Sequence, residues 1–195
     1  LDQQLTRKEM LQYAIEGEKI SVSTPHADNV APCLFGGLTL IRNTESLDVV
    51  NIPISEFSIV LIHPHIEINT EDARKMLPEK INLNSAIEQW GNLGALVFGF
   101  SSDNHQLIKR SMNDIIIEPL RSSLIPGFDR IKDNALKLGA LGCGISGSGP
   151  TIFALCDSSE IASHIGSTSK DHYKSLGLDC DIFISEINHK GPVVV

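Results

Sequence analysis

The apolar positions near the start of the chain fall at helical spacing: Met10, Leu11, Ala14 and Ile15, followed by Glu18. Thr6 with Glu9 three residues later is a capping-box signature, so a helix is predicted over 5–20. The pattern breaks at STPHADNVAP (23–32), where two prolines, an Asp and an Asn signal a loop or a new helix start. CLFGGLTLI (33–41) is an apolar run with a glycine pair and reads as a buried strand with a bend. RNTESLD is a turn, and the Val- and Ile-rich VVNIPI and FSIVLIHP read as strands. A short helix is predicted over 69–78, with acids first and bases later.

The middle of the chain returns to helical spacing over 83–102, over 103–117 from an Asp or Asn cap, and over 125–139, closed by Gly139. TIFALC (151–156) reads as a strand, 158–177 as a helix, and 181–188 as a strand with period-two alternation. Strands and helices thus alternate in the second half. Antiparallel strands with helices on one face, an α+β sandwich, are the predicted architecture. A composition shift near 51–54 marks the best boundary candidate.

Composition narrows the function classes. The 195 residues, 42% hydrophobic and 21% charged, can bury a normal core in one large or two small domains. No run approaches 18 consecutive apolar residues, so a membrane span is not expected. The polar opening LDQQLTRKEM is unlike a signal peptide, and a cytoplasmic location is expected. A net charge of −8 argues against nucleic acid, which needs clustered Lys and Arg. It leaves room for a small anionic ligand, which needs only one or two local cations. Cys33, Cys143, Cys156 and Cys180 form no C-x-x-C pair and read as reduced small hydrophobes. His63 and His65 in HPH share a strand face, but no third metal ligand is evident.

GCGISGSGP (142–150) contains G-x-G-x-x-G. The dinucleotide fingerprint needs a strand before the glycines and a helix after them. Here a helix ends near Gly139 and Pro150 leads into a strand, so the match is false. No G-x-x-x-x-G-K-[ST] is present either. Two readings remain open for the run: a connector needing glycine for positive φ, or a nest of N–H groups that holds an anion.

PHADNVAPCLFGGLTLI (25–41), GISGSGPTIFAL (144–155) and EPLRSSLIPGF (118–128) together resemble the homoserine kinase family of the GHMP small-molecule kinase superfamily. The resemblance covers essentially the whole chain. It implies a GHMP-kinase-like α+β fold: residues 1–52 as the end of the N-terminal domain, and 53–195 as a ferredoxin-like C-terminal α/β sandwich. It implies transfer of the γ-phosphoryl group of ATP, with Mg²⁺, to the side-chain hydroxyl of L-homoserine, and a possible homodimer. The family's P-x-x-x-G-L-G-S-S-A loop around the ATP phosphates has no counterpart in these residues. The chain is therefore expected to match the C-terminal two-thirds of such a kinase, with its nucleotide contacts unassigned.

Residue by residue, the resemblance implies that Glu18 binds Mg²⁺ and that Asp28 and Asn29 act at the substrate hydroxyl. It assigns His26, Thr70, Arg74, Arg121, Gly147 and Ser148 to substrate binding. The chemistry suits these types. HADN places three hydrogen-bonding side chains within four residues, and the planar guanidinium of Arg matches both oxygens of a carboxylate. Asp28 could equally cap a helix starting at Asn29, and Glu18 could be a solvated acid on a helix face. Arg7, Arg42, Arg110 and Arg130 read as surface residues. Two further readings stand beside a homoserine kinase: another GHMP kinase, or a non-catalytic amino-acid-binding module.

Overall fold

The computed structural model describes residues 5–20, 27–69, 73 and 75–193. The chain divides into two compact units, Leu1–Ile54 with Ile187–Val195, and Ser55–Glu186.

In the first unit, α1 (Arg7–Glu18) starts with the expected capping box. The Thr6 side chain accepts from the Glu9 N–H, and the Glu9 carboxylate accepts from Thr6. That satisfies donors a helix start leaves unpaired, and those hydrogen bonds hold the Glu9 pKa below its usual value. Leu11 and Ile15 of α1 are buried against Ala27, Ala31 and Phe35 of α2 (Ala27–Phe35). A hairpin of β1 (Leu38–Asn43) and β2 (Asp48–Ile52) follows, with Arg42 paired to Asp48.

The run 33–41 is therefore not one strand. Cys33–Phe35 finish α2 and the strand starts only at Leu38. Between them the Gly36 φ of +72° and Gly37 φ of +64° turn the chain. The Gly37 N–H donates to the Asn188 carbonyl at 2.8 Å, and a Cβ on Gly36 would lie 2.6 Å from the His189 carbonyl carbon. The returning tail crosses so closely that Gly36 has no room for a side chain, whereas at Gly37 only the positive φ asks for glycine.

The second unit carries β3 (Ser58–Pro64), α3 (Leu83–Ser101), α4 (His105–Ser111), α5 (Glu118–Arg121), a 3₁₀ turn (Ser122–Leu124) and α6 (Phe128–Lys137). Then follow β4 (Gly142–Ile145), β5 (Ile152–Cys156), α7 (Ser159–Ser175) and β6 (Cys180–Glu186). The sheet order is β4-β5-β3-β6 with every neighbour antiparallel. That is the split β-α-β-β-α-β arrangement of ferredoxin-like folds, as expected. Val60 and Ile62 of β3, and Ile152 and Ala154 of β5, share a core with Ile131 and Ala135 of α6 and Ala162, Ile165 and Tyr173 of α7.

The helix expected over 103–117 stops at Ser111. Asp114 explains the stop. Its Oδ1 accepts from the N–H groups of Ile116 and Ile117, at 2.9 and 2.8 Å, offering the backbone an alternative to helix. The helix expected over 125–139 starts at Phe128, after Gly127 at φ +79°. The predicted 69–78 helix is seen in part: Ala73 and Lys75 are helical, the Ala73 N–H donates to the Asn69 carbonyl at 3.0 Å, and 70–72 and 74 lie outside the described residues. Among the described residues, no helix is long and apolar enough to cross a membrane.

Candidate active site

The glycine run is two structures rather than one connector. Its first four residues are strand β4, whose partner β5 follows at once. Glycine serves close packing there. A Cβ on Gly142 would meet Met112 Sδ at 2.0 Å, and one on Gly144 would lie 3.0 Å from Glu118 Oε2. The second part is the hairpin turn. Ser146 N–H donates to the Thr151 carbonyl, and Gly149 N–H closes back on the Ser146 carbonyl at 3.0 Å. Gly147 and Gly149 have φ of +61° and +84°. Among the described residues nothing lies within 4 Å of where a Gly147 Cβ would stand, so they leave the turn open to approach there.

One turn of helix lies alongside this hairpin. Residues three apart share a helix face, and Glu118 and Arg121 of α5 use that spacing. Glu118 reaches Gly144, while Arg121 Nη1 donates to the Gly147 carbonyl at 2.9 Å. The Arg121 Nε is buried without a hydrogen-bond partner among the described residues. A cavity of about 210 Å³ opens at this point, lined by Arg121, Glu118, Asp114, Gly144, Gly147 and Phe153 among others. It is large enough for an amino acid or a similar small solute.

Glu118 does not pair with Arg121. Its carboxylate contacts the Lys132 ammonium of α6, with side chains only 13% and 18% exposed respectively. Burial pushes the Glu118 pKa above its usual 4.5; Lys132 opposes that, and the Asp114 and Asp129 charges add to it. Cys143, also on the cavity wall, is a buried thiol pushed up to about 12 by desolvation, so it is no nucleophile at neutral pH.

The structure thus brings Arg121 and Gly147 into contact, with Ser148 next in the same turn. His26, Thr70 and Arg74 lie outside the described residues. Glu18, Asp28 and Asn29 belong to the first unit. Glu18 is half-buried at the end of α1. Asp28 sits in the first turn of α2 rather than capping a helix from Asn29; its Oδ1 accepts the Asn29 N–H at 3.1 Å. Arg7, Arg42, Arg110 and Arg130 are exposed, as the sequence suggested. Glu118 and Lys132 are functional candidates that sequence reasoning misses. The spacing Glu118-x-x-Arg121 is visible in the chain, but Lys132 is 14 residues from its partner.

Residues 85–174 match the family described as GHMP kinases C terminal. A homoserine kinase of Chlorobium phaeobacteroides (strain BS1) is 44% identical over 192 residues, 97% of this chain and 60% of that protein. The crystal structure of a homoserine kinase from Cytophaga hutchinsonii superposes with a TM-score of 0.95 at 48% identity, over 98% of this chain and 61% of that one. An L. major mevalonate kinase, solved in complex with R-mevalonate, shares the fold at a TM-score of 0.71 and 20% identity, over 97% of this chain and 60% of that one. The chain spans about 60% of the length of the relatives it matches. The polypeptide that folds Glu118, Arg121 and the 146–149 turn beside one cavity carries the C-terminal domain of the GHMP kinases.

Proposed function

We propose that the protein is a homoserine kinase, transferring a phosphoryl group to the side-chain hydroxyl of L-homoserine as a step towards threonine. The observation that carries this reading is the Arg121 guanidinium at the cavity wall, one N–H fixed on the Gly147 carbonyl and its Nε unpaired among the described residues. A planar cation with spare donors suits the carboxylate of an amino acid. The names of the similar proteins support the same substrate.

In this reading Arg121, with Arg74 and Thr70, holds the substrate carboxylate, while His26 and Ser148 border the substrate. Asn29 hydrogen-bonds the reacting hydroxyl, and Asp28 orients it and receives its proton. The hydroxyl oxygen bonds to phosphorus as the bond to the departing ADP oxygen breaks. When bound, ATP supplies the γ-phosphoryl group and Mg²⁺ screens its charge. Glu18 is the proposed Mg²⁺ ligand; one carboxylate, with phosphate oxygens and waters, satisfies this ion. Such transfer depends on positioning and charge neutralisation more than on covalent chemistry by the protein. Residues 1–52 would then be the end of the N-terminal domain and 53–195 the C-terminal domain. Four free thiols suit a reducing compartment, and the cytoplasm is the proposed location.

Steady-state kinetics test the reading. Arg121→Ala should raise KM for homoserine roughly 10- to 100-fold, the worth of a lost charge-assisted hydrogen bond or two, and leave KM for ATP unchanged. Equal loss for both ligands would remove Arg121 from the carboxylate site. Homoserine binding without turnover in the presence of ATP and Mg²⁺ would favour a binding module instead.

A further inference from the structure

Glu118 and Arg121 are opposite charges three residues apart on one turn of helix, a spacing at which such side chains pair. A direct pair would consume the guanidinium and close the cavity on itself. The structure shows a different partition. Lys132, from α6, takes the Glu118 carboxylate, and Arg121 is left on the neutral carbonyl of Gly147. Gly144 makes the partition possible, because any side chain there would press on Glu118 Oε2. Asp114 also lines the cavity, so without Lys132 the local balance would turn acidic.

We propose that Lys132 is a positioning residue: by occupying Glu118 it keeps the Arg121 guanidinium free for the carboxylate of the substrate. The proposal rests on the homoserine reading for the identity of that carboxylate, but the charge partition itself does not. Lys132 touches no substrate in this scheme. It acts by removing a competitor, and that makes its signature unlike that of a structural residue. Loss of Lys132 alone is harmful, because Glu118 turns to Arg121. Loss of both members is benign, because no competitor remains. A pair that merely braces α5 against α6 would show the same order in stability, since a lone buried charge is costly, but its loss would weaken binding of ligands with and without a carboxylate alike.

The experiment compares the wild type, Lys132→Met, Glu118→Gln and the double variant. Calorimetry would titrate L-homoserine and 3-aminopropan-1-ol, which is homoserine without its carboxylate. Lys132→Met should weaken homoserine binding about tenfold or more, the usual scale when a residue that orients a ligand-binding group loses its support. Aminopropanol binding should stay unchanged, and K132M/E118Q should recover most of the homoserine affinity. Wild-type homoserine affinity in K132M with an unmoved Arg121 resonance, or a double variant no better than K132M, overturns the proposal. K132Q replaces K132M if the latter does not fold.

A ligand-free readout separates this outcome from the substrate reading. The Arg121 Nε–H resonance, identified by its absence in R121K, should shift in K132M and return in the double variant. A shift with unchanged homoserine affinity retires homoserine as the occupant and leaves the partition standing. No shift overturns the partition, whatever the substrate is.

Discussion

Two glycine clusters, 36–37 in the first unit and 142–149 in the second, look alike in sequence and answer different demands. At Gly36 the neighbour is backbone: main-chain atoms of His189, Asn188 and Gly191 stand 2.6–2.7 Å from where a Cβ would be, and φ is positive as well. At Gly142 the neighbour is a side chain, Met112, and the backbone is ordinary strand. At Gly147 there is no neighbour within 4 Å among the described residues, and there only φ asks for glycine. Backbone cannot move aside, a thioether can in part, and an open turn asks for nothing but a left-handed dihedral. Glycine density alone therefore does not announce a phosphate loop. Each glycine must be asked whether it answers to space or to torsion.

Alanine at each position turns this ranking into numbers. Gly36→Ala should cost most, about 3 kcal/mol or more, since strain and a backbone clash add. Urea unfolding reads it, and a cost no larger than that of G147A would mean the tail does not press there. Gly142→Ala should cost about 1–3 kcal/mol by overpacking. Met112→Ala combined with it should return part of that loss, because the two sites share one space; simple additivity would refute the contact. Gly147→Ala should cost about 1 kcal/mol, from the left-handed backbone alone, and should leave the other two ranks undisturbed.

The smallest effect concerns the seat that Gly144 leaves for Glu118. The folded pKa of this carboxyl lies above its usual 4.5, chiefly through burial. Its contribution to stability is therefore whole below pH 4.5 and is lost as pH rises through the folded value. Urea midpoints followed from acid to neutrality should fall less steeply in E118Q than in the wild type. Equal slopes would show that Lys132 fully offsets the burial.

What could be read from the sequence follows from what is local. The α1 capping box, the helix at 159–175 and the strands at 58–64 and 152–156 are set by residues within a few positions of one another, and they appear where expected. The failures come from distant partners. CLFGG cannot be divided into helix end and turn without the returning tail at Asn188 and His189. β4 hides inside a glycine run because little in GCGI has strand propensity; its pairing with β5 and the bulk of Met112 impose the strand. Arg121 is legible through its motif, whereas Lys132 is not, since an ion pair between successive helices leaves no periodic mark.

One topological detail reaches further. The chain leaves the first unit after Ile54 and rejoins it at Ile187, and between these points Ser58 and Glu186 stand opposite each other on neighbouring strands. The ferredoxin-like half is thus an insert whose two ends meet side by side. Such a segment can be excised at one seam, or rejoined into a ring by a short linker, without disturbing any strand order within it.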